Sequence, residues 1–180
     1  MKGFIALLAF AALPLIAAPN PLGVIKTAKG DVKMSAGGAA VSLPIEGSTL
    51  VTQGARLETG TDGKAMLRLL PDNAFVDIRP QSIFTLKRVK TKEKRVRRLS
   101  LETAELVVGL KKKSEPVQCE NAQSLATATA GRFSCRSDGK GAAIFLVQDG
   151  ELTVYNRPKD KTVTVRSGQK AVSAGKVAIL

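Results

Sequence analysis

The sequence predicts an all-β domain of many short antiparallel strands in a sandwich or roll, preceded by a signal-peptide helix. Apolar and polar side chains alternate over several segments, such as residues 64–69. This period of two is typical of strands that bury one face and expose the other. Asp-Gly pairs at residues 62–63, 138–139 and 149–150 indicate tight turns between such segments. No helical spacing of apolar residues is sustained after residue 18, which excludes an α-helical fold.

The first 18 residues have the pattern of a secretory signal peptide. Lys2 precedes an apolar run from Phe4 to Ala18 that is broken only by Pro14. A membrane anchor needs roughly 20 apolar residues, so this shorter run favours export with cleavage after Ala17 or Ala18. We therefore expect an exported protein, periplasmic or secreted, with no transmembrane helix once the leader is removed.

Beyond the leader, residues 23–180 are assigned to one domain because the same pattern of short strands and turns continues throughout. The segment at residues 112–124 is rich in Pro, Ser, Asn and Gln, which predicts an irregular connection. The alternation and the turns predict strands at residues 23–28, 31–36, 39–43, 55–59, 64–70, 74–79, 82–90, 96–102, 105–110, 125–129, 131–136, 141–147, 151–156, 162–166 and 169–178.

Cys119 and Cys135 are the two cysteines of the chain. In an oxidising compartment two thiols are expected to pair, so we predict a disulfide between them. By restricting the unfolded chain, such a bridge would stabilise the fold by about 3 kcal/mol. The alternative is a pair of buried, unpaired thiols. A CxxC motif is absent, so the sequence gives no support for thiol exchange chemistry.

Histidine is absent from the sequence, which excludes catalytic and zinc sites that depend on imidazole. Most candidate carboxylates fall in turns, where they hydrogen-bond nearby backbone: Asp62, Asp72, Asp138, Asp149 and Asp160. Glu102 and Glu105 occupy strand-like positions, and solvent-facing alternation explains them better than catalysis. We expect a protein that is not an enzyme and holds no cofactor or metal. A hydrolase that uses Ser with Lys, or paired carboxylates, stays open as an alternative.

The chain carries 28 Lys and Arg against 15 Asp and Glu, a formal net charge of +13. Much of this charge falls in one run opposed only by Glu93: Lys87, Arg88, Lys90, Lys92, Lys94, Arg95, Arg97 and Arg98. The run lies between two predicted strands, so it is either a patch that binds a polyanion or partner, or a solvated hairpin tip. In an envelope the partner would be a protein, an anionic glycan or a lipid headgroup. Nucleic acid is not expected, because no aromatic side chains interleave with the cations.

An ordered set of motifs runs through the chain, each built from glycines at turns and alternating aliphatic residues. The first, EGSTLVTQGARLETGTDGKAMLRL, has spaced glycines followed by A-x-L-x-L, and the last contains G-Q-x-A. The segments that carry the motifs are residues 46–69, 69–86, 97–110, 146–156 and 163–175. In this order they resemble a FecR-like domain. The resemblance covers about residues 23–175 and implies an all-β scaffold without catalytic motifs.

Two features depart from the family pattern. Ala104 stands where the family favours Gly, and LATATAGRFSC at residues 125–135 replaces its T-P pair and G-T-x-F element. The best-known members join this domain to a membrane helix and a cytoplasmic segment that regulates a sigma factor, and they relay the occupancy of an iron transporter. Here the leader precedes the domain directly, so we do not expect contact with a cytoplasmic sigma factor.

These observations predict an exported, non-enzymatic FecR-like domain that acts as a binding, sensing or scaffolding module of the cell envelope, with the basic run as its first candidate surface. An alternative is a periplasmic signalling component that relays a transport or envelope signal to a separate membrane regulator. The identity of the ligand and the oligomeric state are left open by the sequence.

Overall fold

The computed structural model describes residues 20–37, 43–45, 47–174 and 177–179. The predicted leader, residues 1–18, lies outside these residues, as does most of the strand predicted at residues 39–43. Among the described residues, no helix is long and apolar enough to cross a membrane.

The described chain is all-β, as predicted, with a short 3-10 turn at Arg157–Lys159. Its strands, numbered in chain order, are β1 Gly23–Lys29, β2 Val32–Ser35, β3 Leu43–Pro44, β4 Thr49–Val51, β5 Arg56–Thr59, β6 Lys64–Leu69, β7 Phe75–Ile78, β8 Ile83–Lys90, β9 Arg95–Leu110, β10 Val117–Glu120, β11 Ser124–Ala128, β12 Gly131–Asp138, β13 Ala143–Asn156, β14 Lys161–Arg166, β15 Lys170–Ser173 and β16 Val177–Ile179.

The two longest strands, β9 and β13, organise the pairing because each contacts four others. β9 pairs with β7, β8, β10 and β12, and β13 pairs with β11, β12, β14 and β15. β10 and β11 also pair with each other, so β9, β12, β13, β11 and β10 form a closed ring. The sheet therefore closes into a barrel. Among the described pairs only β9 and β10 run parallel.

Two further series of strands extend from β9. One continues from β8 to β5, β2 and β3, and the other continues from β7 to β6, β1 and β4. The alternation seen in the sequence is confirmed in β6, where Ala65, Leu67 and Leu69 are buried and the residues between them are exposed. Burial of such aliphatic side chains is the main favourable contribution to folding.

Five strand predictions differ from the structure. Residues 96–102 and 105–110 belong to one strand, β9, and residues 141–147 and 151–156 belong to β13. The range 169–178 divides into β15 and β16. β4 was not expected, and neither was β10.

β10 lies inside the segment predicted to be irregular. Its residues, Val117–Glu120, pair with β9 on one side and with β11 on the other. The polar composition of the segment concealed a strand whose first three residues are buried by the barrel.

Candidate functional site

The basic run forms a β-hairpin, as the sequence predicts. β8 and β9 are antiparallel, with Lys90 opposite Arg95. The Thr91 backbone N–H donates to the Lys94 carbonyl at 2.9 Å, and the Thr91 Oγ1 both donates to that carbonyl and accepts from the Lys94 N–H. Side-chain bonds of this kind stabilise a tight turn. We call residues 87–98 the basic hairpin.

The basic hairpin exposes five cations, four of them at its tip, residues 90–95. Lys87, Lys90, Lys92, Lys94 and Arg95 are all exposed, and none of them forms an ion pair with another described residue. The carboxylate within the turn belongs to Glu93, which is also exposed. These five side chains therefore present unneutralised positive charge to solvent.

Arg97 does not belong to this surface, which corrects the sequence-based assignment. Its side chain is 0 % exposed. Nη1 and Nη2 donate to the two Asp72 carboxylate oxygens at 2.7 Å each, and Nη2 also donates to the Glu115 carbonyl. Its Nε, buried without a hydrogen bond among described atoms, lies 4.0 Å from the Glu115 carboxylate. A polyanion cannot reach this guanidinium, so Arg97 anchors the hairpin instead of binding a partner.

Two more arginines lie beside Arg97 at the root of the hairpin, which is the end away from the turn. Both are partly buried and are neutralised by neighbouring side chains. Arg88 pairs with the Glu115 carboxylate at 3.0 Å and donates to the Leu70 carbonyl at 2.9 Å. Arg98 donates to the Gln118 side-chain oxygen and lies 3.5 Å from the Glu120 carboxylate. Sequence reasoning grouped all eight cations together, whereas the structure separates three partnered arginines at the root from five exposed cations, of which four lie at the tip and Lys87 lies opposite Arg98.

The Asp72 carboxylate holds the root together. It also accepts backbone N–H bonds from Glu115 at 2.6 Å and from Ala74 at 3.2 Å. Burial raises the pKa of Asp72, but the hydrogen bonds from Arg97, Glu115 and Ala74 outweigh burial and leave the pKa below its ordinary value. The carboxylate is therefore ionised at neutral pH and balances the buried guanidinium.

A pocket of about 390 Å³ lies beside the basic hairpin. Arg88, Lys90 and Arg95 line it together with Gln53 and Leu22. The Gln53 side chain accepts from the Arg88 N–H at 2.9 Å and donates to the Arg88 carbonyl at 3.3 Å, which ties β8 to the turn before β5. The pocket gives the hairpin a concave side where an anionic group would meet two exposed cations, Lys90 and Arg95.

The two cysteines face each other inside the barrel. Cys119 lies on β10 and Cys135 on β12, and both are buried free thiols with their sulfur atoms 2.8 Å apart. This differs from the predicted disulfide and matches the alternative of two buried, unpaired thiols. Burial, followed by the contact with Cys135, raises the pKa of the Cys119 thiol. Formation of the bridge under oxidising conditions stays a prediction.

The carboxylates considered for catalysis have structural partners or face solvent. Glu102 is exposed and receives two hydrogen bonds from Arg56, at 3.0 and 3.1 Å, which raise the pKa of that guanidinium. Asp138 accepts backbone N–H bonds from Lys140 and Ala142 in its own turn, as predicted. Asp62 instead accepts from the Asp31 N–H, which belongs to a different turn. The part of the chain that the structure describes holds no group of three Cys, Asp or Glu residues that could bind a metal ion.

A second cationic surface was not predicted. On the outer face of β6, β7, β9 and β12, a groove is lined by Lys26, Arg68 and Arg132 around the ring of Phe75. These residues are far apart in the sequence and are brought together by strand register. Sequence reasoning had no local signal for them.

No family model matches the sequence, and neither does any curated protein. Two crystal structures of a protein described as a "putative anti-sigma factor" from Parabacteroides distasonis share the fold. They have TM-scores of 0.56 and 0.57 and 12% sequence identity, and the match covers 69% of this chain and 58% of theirs. The present chain thus spans little more than half of those proteins. This likeness shows that the chain shares its fold with those structures. The FecR-like relationship itself stays a prediction, since no family model matches.

Proposed function

We propose that this protein is an exported, non-enzymatic binding or sensing module, which attaches through the tip of the basic hairpin to an anionic, phosphate-bearing surface of the cell envelope. The observation that carries the proposal is the set of five exposed cations of the basic hairpin, four of them at its tip, none of which is neutralised by a described residue. The similar solved structures carry the description of an anti-sigma factor, which supports a regulatory role over a catalytic one.

The anchoring of the hairpin supports this proposal. The buried Arg97–Asp72 pair and the Arg88–Glu115 pair fix the two strands at the root. A rigid root reduces the conformational entropy that a binding surface loses when it meets its partner. The tip cations therefore form a preorganised surface.

The charge of the tip supports an anionic partner. Each Lys or Arg close to an anionic membrane surface contributes about 1 kcal/mol of attraction, and the attraction falls off within a Debye length. Three or more such residues at one tip would together contribute a binding free energy large enough to measure. This contribution would weaken as salt is added. The pocket beside the hairpin offers a place for a single phosphate group.

The test compares two variants of equal charge. The tip variant is Lys92→Ser, Lys94→Ser and Arg95→Ser, and the control variant is Lys140→Ser, Lys159→Ser and Lys161→Ser. All six residues are exposed. Of the control residues, Lys140 lies in the turn before β13, Lys159 lies in the connection between β13 and β14, and Lys161 begins β14, away from the tip of the basic hairpin. Binding of the exported chain is measured by co-sedimentation with phosphatidylglycerol vesicles, with phosphatidylcholine vesicles and with soluble polyphosphate as a competitor.

We expect the tip variant to bind phosphatidylglycerol vesicles at least tenfold more weakly than the wild type, and the control variant to stay within about twofold. Competition by polyphosphate would identify phosphate as the recognised group, and a lack of competition would assign recognition to the lipid surface. Equal losses in the two variants would reject the hairpin as the site. A wild type that binds no anionic probe would reject the function itself and point to an envelope protein as the partner.

A further inference from the structure

The outer groove is built from one row of residues that strand register places side by side. Arg68 on β6 lies opposite Phe75 on β7, Phe75 lies opposite Gly109 on β9, and Gly109 lies opposite Arg132 on β12. Neighbouring strands are about 4.8 Å apart, so the Arg68 and Arg132 backbones are separated by about 14 Å. Two arginine side chains can converge across that distance, above the Phe75 ring.

The floor of the groove depends on a glycine. A Cβ atom at Gly109 would lie 2.1 Å from a ring carbon of Phe75, so the ring occupies the space that a side chain on β9 would fill. The Arg132 guanidinium lies 5.7 Å from the ring centroid, which is within the range of a cation–π contact. Phe75 is left half-buried, and the neighbouring Met66 is 42% exposed.

The cations of the groove have no hydrogen-bond or ion-pair partner among the described residues. Lys26, Arg68 and Arg132 are exposed, and neither a hydrogen bond nor an ion pair engages any of their side chains there. Asp77 is the one carboxylate that lines the groove. By contrast, the arginines at the root of the basic hairpin are each satisfied by a carboxylate.

The groove has the size and composition of a small-ligand site. Its volume is about 520 Å³, within the usual range of pockets that bind small molecules, and it combines an apolar floor with a few charged groups. Beyond Met66 and Asp77 it continues into a depression of about 230 Å³ that adds Lys29, Lys64 and Arg79. The electrostatic potential along the whole channel therefore favours an anion.

We infer that this groove binds a small amphipathic anion. Its apolar, preferably aromatic, body would lie against Met66 and Phe75, and its carboxylate, sulfonate or phosphate group would be held by Arg68 and Arg132. Planar guanidinium groups bind such oxyanions with two parallel hydrogen bonds. The inference is independent of the function proposed for the basic hairpin, since it uses different residues.

The test uses two fluorescent probes that differ in charge. Anilinonaphthalene sulfonate carries an aromatic body and an anionic group, and phenylnaphthylamine has a similar body without the charge. Each is titrated into the full chain, into the Arg68→Ser/Arg132→Ser variant and into the tip and control variants described above. Urea unfolding of every variant verifies that the fold is intact.

We expect saturable binding of the sulfonate probe by the wild type, and binding at least tenfold weaker in the Arg68→Ser/Arg132→Ser variant. The tip and control variants should stay within about twofold of the wild type, and the neutral probe should bind at least tenfold more weakly than the sulfonate. Equal binding of both probes, or equal losses in all three variants, would overturn the inference. So would wild-type binding in a folded Arg68→Ser/Arg132→Ser variant.

Discussion

The root of the basic hairpin and the outer groove use the same residue type in opposite ways. At the root, Arg97 is buried, and its charge is balanced by Asp72 through two hydrogen bonds of 2.7 Å. In the groove, Arg132 is exposed and its guanidinium lies over the Phe75 ring. Both side chains lie on strands of the barrel ring, β9 and β12, so the difference comes from burial and partners and not from the strand that carries them.

This contrast shows why a run of cations is a poor guide to function. A buried charge must be paired, because its desolvation costs several kcal/mol, whereas an exposed charge is free to meet a ligand. Cations that hold the fold and cations available for binding are therefore adjacent in the sequence and distinguishable only in the structure.

The largest expected effect is the loss of the root arginine. Arg97→Met should lower the free energy of unfolding by about 3–5 kcal/mol, because it leaves the Asp72 carboxylate without its buried counter-charge. Arg132→Met, the matched change in the groove, should cost less than about 0.5 kcal/mol, since exposed substitutions are usually tolerated. Urea unfolding of the two variants measures both values. Similar costs would show that the root is not a structural ion pair.

The next effect concerns the interior of the barrel. If the exported chain is oxidised, a Cys119–Cys135 bridge should raise the free energy of unfolding by about 3 kcal/mol relative to the reduced chain. Urea unfolding with and without a reductant measures the difference. The Cys119→Ser/Cys135→Ser variant is the control and should be indifferent to reductant. A wild type that is equally indifferent would show that the thiols stay unpaired.

A smaller effect is expected in the groove floor. Gly109→Ala should lower the free energy of unfolding by about 1–3 kcal/mol, because the new methyl group displaces the Phe75 ring. In a Phe75→Ala background the same change should cost less than about 1 kcal/mol, since the obstructing ring is gone. A double-mutant cycle of unfolding free energies measures this coupling. Additive costs would mean that the ring does not rest on the glycine.

The last effect is the pH dependence of the root. The pKa of Asp72 is lower in the folded protein than in the unfolded chain. The ionised carboxylate therefore contributes its full share of the unfolding free energy above about pH 4, and this share is lost as the pH falls through the pKa of the folded state. Below about pH 4, the unfolding free energy of the wild type should fall more steeply than that of Asp72→Asn, by up to about 1.4 kcal/mol per pH unit. Parallel curves from acid titration would rule out this ionisation as a source of stability.

Much of the fold could be predicted from the sequence, because alternation and turn residues are local signals. The buried positions of β6 and the hairpin formed by β8 and β9 follow directly from that pattern. The sequence did not predict β10, because this strand depends on pairing with β9 on one side and β11 on the other. A strand of four residues that is held by neighbours on both sides carries little apolar signal of its own.

The candidate site was predictable only in part. The hairpin and its exposed tip follow from the run of cations, but the burial of Arg97 was overlooked although a signal existed. Leu99 and Leu101 face the core, and a period of two extended backwards places Arg97 on the same face. Its partner, Asp72, is 25 residues away in the sequence and could not be identified without the strand order.

The most direct test is to map the anion-binding residues in the unmodified chain. Amide chemical shifts are recorded by two-dimensional NMR as soluble polyphosphate is added at low salt. We expect the largest shift changes at residues 87–95, with little change at residues 139–141 and 157–161. Changes spread evenly over the cationic surface, or concentrated away from the basic hairpin, would show that the exposed tip is not where this protein binds anions.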